Sequence, residues 1–163
     1  MKKLVIVRHS KSSWSDPYLS DFDRPLNKRG NRDGGLMAEF LSKRIKNVYK
    51  LLSSSSKRTR LTSEFFKNKI NIKVENYTDK LYHASYDDII DLLNQVKDDV
   101  RSLILIGHNP GLTHLVNFFT EVNLYNLPTT GIVVINFMID KWKNIKDSKG
   151  NIEIIKFPKE LNS

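Results

Sequence analysis

Leu4-Val5-Ile6-Val7-Arg8-His9-Ser10 is the stretch that decides how this chain is read. The branched apolar run from Leu4 to Val7 predicts a strand buried on both faces, as in a sheet covered by helices on each side. The run stops at an arginine and a histidine, then passes into the polar string Lys11-Ser12-Ser13. Packing does not explain that ending, because a buried guanidinium and a buried imidazole each need a polar partner. A guanidinium fork beside an imidazole at a strand end suits a phosphate. One dipeptide is a weak signal, so the reading depends on what else the chain brings to the same place.

Two further strands end in a similar way. Val48 to Leu52 reads as a short buried strand running into Ser53-Ser54-Ser55-Ser56-Lys57-Arg58-Thr59-Arg60. Leu61, Phe65 and Phe66 follow at helical spacing, so this is a strand end, a tight turn and a helix capped by Ser55 or Ser56. Arg58 then lies in the first helical turn, where the macrodipole disfavours a cation unless it faces an anion. Ser102 to Gly107 is the strongest strand signal and ends in His108-Asn109-Pro110-Gly111. A helix carrying Leu112, Leu115, Val116 and Phe119 follows, with Pro110 expected in its first turn.

Between these lie a long polar loop, Ser10 to Asn27, and an amphipathic helix capped by Asn27. Trp14, Tyr18 and Phe22 suggest that the loop packs over the site, and Gly34-Gly35 suggests close packing of the helix on the sheet. Lys73 to Tyr77 reads as a weak strand, and Ser85 caps a helix presenting Ile89, Ile90, Leu93 and Val96. Leu127 to Gly131 is a turn. Ile132 to Ile139 and Ile152 to Phe157 read as antiparallel strands, with a turn at Asp147 to Asn151. Strands alternating with helices predict a single α/β domain over 1–163. It is a three-layer α/β/α sandwich with a mostly parallel central sheet and an antiparallel strand near the C-terminus.

Composition narrows the class. The chain has 163 residues, 39% hydrophobic and 28% charged, with no cysteine. Disulfides, thiolate metal sites and a cysteine nucleophile are therefore excluded. No apolar run is long enough for a membrane span, and the one after Lys3 is too short for a secretory leader, so a cytoplasmic location without membrane partners is expected. The net charge of +9 fits nucleic-acid binding in magnitude. Its lysines and arginines are scattered, and no aromatic or zinc-finger signature accompanies them. The expectation is a solvated basic surface that attracts anionic substrates, with no nucleic-acid partner.

In a parallel sheet, ligands bind at the carboxyl ends of the strands. If the three polar-ended strands are neighbours, Arg8, His9, Arg58 and His108 surround one point, helped by helix N-termini. A metal is the competing reading of the histidines. Zinc takes three protein ligands, and arginine beside a cation is unfavourable, so no metal or other cofactor is expected. His114, mid-helix, is read as structural, whereas His83 in the connection before the third helix is left open. Arg24 either reaches the pocket or pairs with Asp21 or Asp23. Ser12 is a further phosphate contact, and Lys11 and Ser13 could also touch the anion.

Arg8-His9 after the first strand, Arg58-Thr59 with Thr62 after the second, and Gly107-His108 after a later one resemble the histidine phosphatase, or phosphoglycerate mutase-like, superfamily. Asp23-Arg24-Pro25-Leu26, the Gly107 to Gly111 stretch and the short length resemble its phosphohistidine phosphatase SixA branch. Ser10 stands where the family's first motif usually has glycine. The resemblance implies a phosphoglycerate mutase-like fold and a metal-independent phosphohydrolase. His9 would be the nucleophile, forming a phosphohistidine, with Arg8, Arg58 and His108 holding the phosphoryl oxygens. It implies a phosphorylated signalling or phosphotransfer protein as substrate. A small phosphorylated molecule and a non-catalytic phosphate-binding module are the alternatives. Larger members carry an acidic proton donor after the second helix. Here Tyr82, His83, Asp87 and Asp88 are the candidates, and none stands out. Oligomeric state is not legible.

Overall fold

The computed structural model describes residues 1–162. Six strands form one sheet: β1 (Lys2–Arg8), β2 (Asn47–Ser54), β3 (Asn71–Thr78), β4 (Ser102–Gly107), β5 (Ile132–Phe137) and β6 (Gly150–Lys156). Their order is β3-β2-β4-β1-β5-β6. The first four pair in parallel, and β5 runs against both β1 and β6. Four helices complete the layers: α1 (Lys28–Ser42), α2 (Lys57–Lys67), α3 (Tyr86–Asn94) and α4 (Gly111–Phe119). This is the three-layer α/β/α sandwich that the strand–helix alternation predicts.

Side-chain alternation along the strands builds two cores. Leu4 and Ile6 of β1, with Leu103 and Leu105 of β4, pack under α3 and α4. Val5 and Val7, with Ile104 and Ile106, pack under α1 and α2. β1 and β4 therefore need apolar residues at consecutive positions, which is why they read as unbroken runs. Asn27 caps α1 by accepting from the Gly30 amide, and Ser85 caps α3 in a reciprocal pair with Asp88.

Several expectations shift. Pro110 lies just outside α4, which begins at Gly111. Gly34 packs against the Phe65 ring of α2, not against the sheet, and Gly35 faces open space. The long loop contains a 3-10 turn at Asp21–Asp23 and a bridge from Ser12 to Leu26. Within it Phe22 meets the Tyr82 ring edge to face, whereas Trp14 and Tyr18 stand in solvent, 64% and 95% exposed. A 3-10 turn at Trp142–Asp147 fills most of the connection from β5 to β6, so β6 begins earlier than the apolar run from Ile152 suggests. No helix is long and apolar enough to cross a membrane among the described residues.

Candidate active site

Parallel pairing delivers the polar strand ends to one rim. Arg8 lies in register with Gly107, and Ser53 with Ile106. The ladder continues past β1, with the His9 amide donating to the Gly107 carbonyl at 3.1 Å. Arg8, His9, Ser12, Arg58 and His108 all line one cavity of about 230 Å³, together with Lys11, Asp21 and His83. Arg58 is held in the first turn of α2 and is buried.

His9 is fixed by its neighbours. Its Nδ1 lies 2.7 Å from the Ser10 carbonyl, which can only accept, so Nδ1 carries the proton. The Nε2 lone pair is left without a protein partner in a ring that lines the cavity. Burial, with the Arg58 and Arg8 charges adding to it, lowers the His9 pKa to about 3, although the Ser10 bond opposes the shift. The Ser10 amide donates to Thr62 Oγ1 at 2.9 Å, and its hydroxyl pairs with Thr130 Oγ1 at 2.7 Å. Serine is therefore accommodated at the family's glycine position because its hydroxyl has a buried partner. Thr130 has φ 59, and its amide bonds the carbonyls of Arg8 and His9. His83, with φ 54, is the other non-glycine residue in this left-handed region among the described residues, so both strained positions fall at the site.

Two guanidiniums and a second imidazole face His9. Arg8 Nη1 donates to the Leu127 carbonyl, while its buried Nε has no partner. Burial and the nearby Arg58 charge lower the Arg8 pKa. Arg58 Nη2 approaches His108 Nδ1 at 3.4 Å, which leaves His108 Nε2–H to donate to Ser54 Oγ at 2.9 Å. The His9 and His108 rings are 5.2 Å apart. Burial first, then charge on His9, Arg58 and His83, lowers the His108 pKa to about 2. His108 is thus neutral in the resting site. Among the described residues no group of three or more His, Asp or Glu side chains is arranged to hold a metal ion.

Asp21 is the residue that sequence reasoning missed. Its Oδ2 lies 3.0 Å from Arg58 Nη2, accepts from the Tyr82 hydroxyl and sits 3.4 Å from His83 Nε2. Burial acts to raise its pKa, but the hydrogen bonds from Tyr82 and Arg58 and the Arg58 charge hold it below the usual carboxylate range. The only sequence signal was its position just ahead of the Asp23 to Leu26 motif. Of the proton-donor candidates, His83 lines the cavity and Tyr82 reaches it through Asp21. Asp87 and Asp88 are exposed first-turn acids of α3, with Asp88 engaged in the cap. Arg24 follows neither expectation. It is buried under Trp14, 3.9 Å from that ring, and reaches the carbonyls of Ser13 and Asp16, so it braces the loop outside the cavity. His114 is exposed on α4, away from the site.

Comparison with known proteins finds relatives along most of the chain and solved structures of the same fold. An uncharacterised protein of Mycobacterium tuberculosis is 29% identical over 150 residues, covering 86% of this chain and 92% of its own. An uncharacterised chloroplastic protein of Arabidopsis thaliana is 25% identical, covering 87% of this chain and 69% of its own. The fold matches a structure of the protein histidine phosphatase SixA complexed with tungstate, with TM-score 0.81, 21% identity, and coverage of 98% of this chain and 99% of that one. A SixA protein of Nakamurella multipartitia, provisionally named a phosphohistidine phosphatase, gives TM-score 0.84 at 19% identity and 96% coverage of both chains. The profile of the histidine phosphatase superfamily (branch 1) matches residues 4–96, which carry Arg8, His9 and Arg58, while His108 joins them through the pairing of β4 with β1. With more than half of its length matched, the chain belongs to the histidine phosphatase superfamily.

Proposed function

We propose that this protein is a phosphohydrolase that removes phosphate from phosphohistidine on a protein, through a phosphohistidine of its own at His9. The observation that carries the reading is the His9 ring. Its Nδ1 is committed to the Ser10 carbonyl, and its Nε2 lone pair is free in a cavity lined by Arg8 and Arg58.

The phosphoryl group enters between the Arg8 and Arg58 guanidiniums, both of which line the cavity. His9 Nε2 attacks phosphorus, a new N–P bond forms, and the P–N bond of the substrate breaks. The departing imidazole, protonated on its other nitrogen, leaves neutral and needs no further proton. The dianion draws a proton onto His108, which then donates to a phosphoryl oxygen. In the second half, water attacks phosphorus, its proton passes to the Asp21 carboxylate, and the bonding pair returns to His9 Nε2. Asp21 lines the cavity in its ionised form, able to accept a proton.

The same geometry favours a phosphoramidate over a phosphomonoester. An alkoxide leaving group needs a proton donor, and the pocket's one carboxyl is ionised. A pure docking module has no use for a free nucleophilic nitrogen, which weighs against that alternative. The test is a denaturing quench after brief exposure to a labelled phosphohistidine donor. Wild type carries acid-labile phosphate, and His9→Ala carries none. An unlabelled wild type that still turns over substrate overturns the nucleophile assignment.

A further inference from the structure

The catalytic cavity, about 230 Å³, has room for a phosphoryl group and the ring that carries it but not for a protein, so the rest of a protein substrate lies outside it. A second depression of about 630 Å³ adjoins it. Thr129 lines both, and the Asn109 side chain on the catalytic side donates to Asn126 Oδ1 on the other at 3.0 Å. Among the described residues this groove carries Arg29, Arg32 and Lys159 against a single carboxylate, Asp33. Asp33 is buried and already engaged, with Arg32 at 3.3 Å, Arg29 at 3.9 Å and Asn162 at 3.2 Å. Lys159 is exposed and has no ion pair among the described residues. The described residues of the groove therefore face solvent with an unbalanced positive charge.

Exposed aromatics border the same rim. Trp14 lines the catalytic cavity, and Tyr125, fully exposed, immediately precedes Asn126. Solvent-facing aromatics beside a charged depression characterise surfaces that meet other proteins.

We propose that this groove docks an acidic segment of the phosphorylated protein next to its phosphohistidine, with Arg32 and Lys159 as the exposed cations that select it. The proposal rests on the reading of the catalytic cavity given above. It adds that substrate choice is made by charge outside the reaction centre. Because these cations are exposed, each contributes modestly and is screened by salt.

The test compares two phosphohistidine peptides, one flanked by glutamates and one by glutamines, with phosphoramidate as a small reference. At low salt the glutamate-flanked peptide is expected to have a KM roughly three- to tenfold lower. The gap closes at high salt and in Lys159→Glu and Arg32→Gln, while phosphoramidate kinetics do not change. Arg32→Gln leaves Asp33 with Arg29 and Asn162, so folding is not at stake. Equal KM values for the two peptides overturn the docking proposal and leave the catalytic reading intact. If phosphoramidate is not turned over and His9 is not labelled, the catalytic reading fails instead. The groove is then judged by fluorescence anisotropy with an unphosphorylated glutamate-rich peptide. Binding weakened by Lys159→Glu supports the groove, and no binding at low salt overturns it.

Discussion

In the resting pocket the negative charge beside Arg58 is the Asp21 carboxylate, and an entering phosphoryl group has to share that guanidinium with it. In the proposed reaction Asp21 also takes a proton from water in the second half. Asp21→Asn keeps an oxygen acceptor for Arg58 and Tyr82 and removes the base. Phosphorylation of His9 is then expected to continue while its hydrolysis slows on the order of 100-fold or more. The steady-state level of labelled protein after a rapid quench rises above wild type. A level that stays flat or falls assigns Asp21 to positioning Arg58 only. Arg8, His9, Arg58 and His108 were legible because each interrupts an apolar run or helix start where packing has no use for it. Asp21 was not, because its partner Arg58 is remote in sequence and a loop aspartate next to an arginine offers a local pairing that the fold does not use.

At the scale of elements, the site depends on how the first loop is seated against α1. A Cβ at Gly30 would meet the Lys11 carbonyl oxygen at 2.2 Å and the Lys11 amide nitrogen at 2.9 Å, both backbone atoms of a residue that lines the cavity. Gly30→Ala is therefore expected to cost about 1–3 kcal/mol and to displace Lys11 and Ser12. Tm falls and kcat/KM drops with it. Gly35→Ala, with nothing within 4 Å of the added carbon, gains about 0.5–1 kcal/mol from helix propensity and leaves kinetics unchanged. Thermal melts and kinetics of the two variants check the contrast, and equal effects would remove the argument. The strands and helices were readable because periodicity records which faces are buried. The seating of α1 was not, since Gly34 contacts the Phe65 ring of α2 and Gly30 the loop backbone. Nothing in a pattern of apolar residues says which neighbour a glycine admits.

Across the whole molecule, a buried neutral histidine pair links function to acid stability. His9 and His108 are 7% and 4% exposed, with pKa values held at about 3 and about 2. In the unfolded chain both titrate near 6.5. Below about pH 6.5 the unfolded state therefore binds protons that the folded state excludes, and stability falls as pH falls. Above that pH neither ring contributes a slope. The carboxylates begin to matter near pH 5 and below, so the interval between about 6.5 and 5 isolates the histidines. Each contributes up to about 1.4 kcal/mol per pH unit there. Denaturant unfolding between pH 7 and 5 should give a slope that His108→Gln reduces by about half and that the double variant with His9→Gln nearly abolishes. A phosphate-like oxyanion held by Arg8 and Arg58 works in the opposite sense, because it favours protonated His108 in the folded state. Adding phosphate or tungstate should flatten the wild-type slope and leave the double variant unmoved. A wild-type slope indifferent to the anion would mean that the anion does not bind where these two imidazoles meet the two guanidiniums.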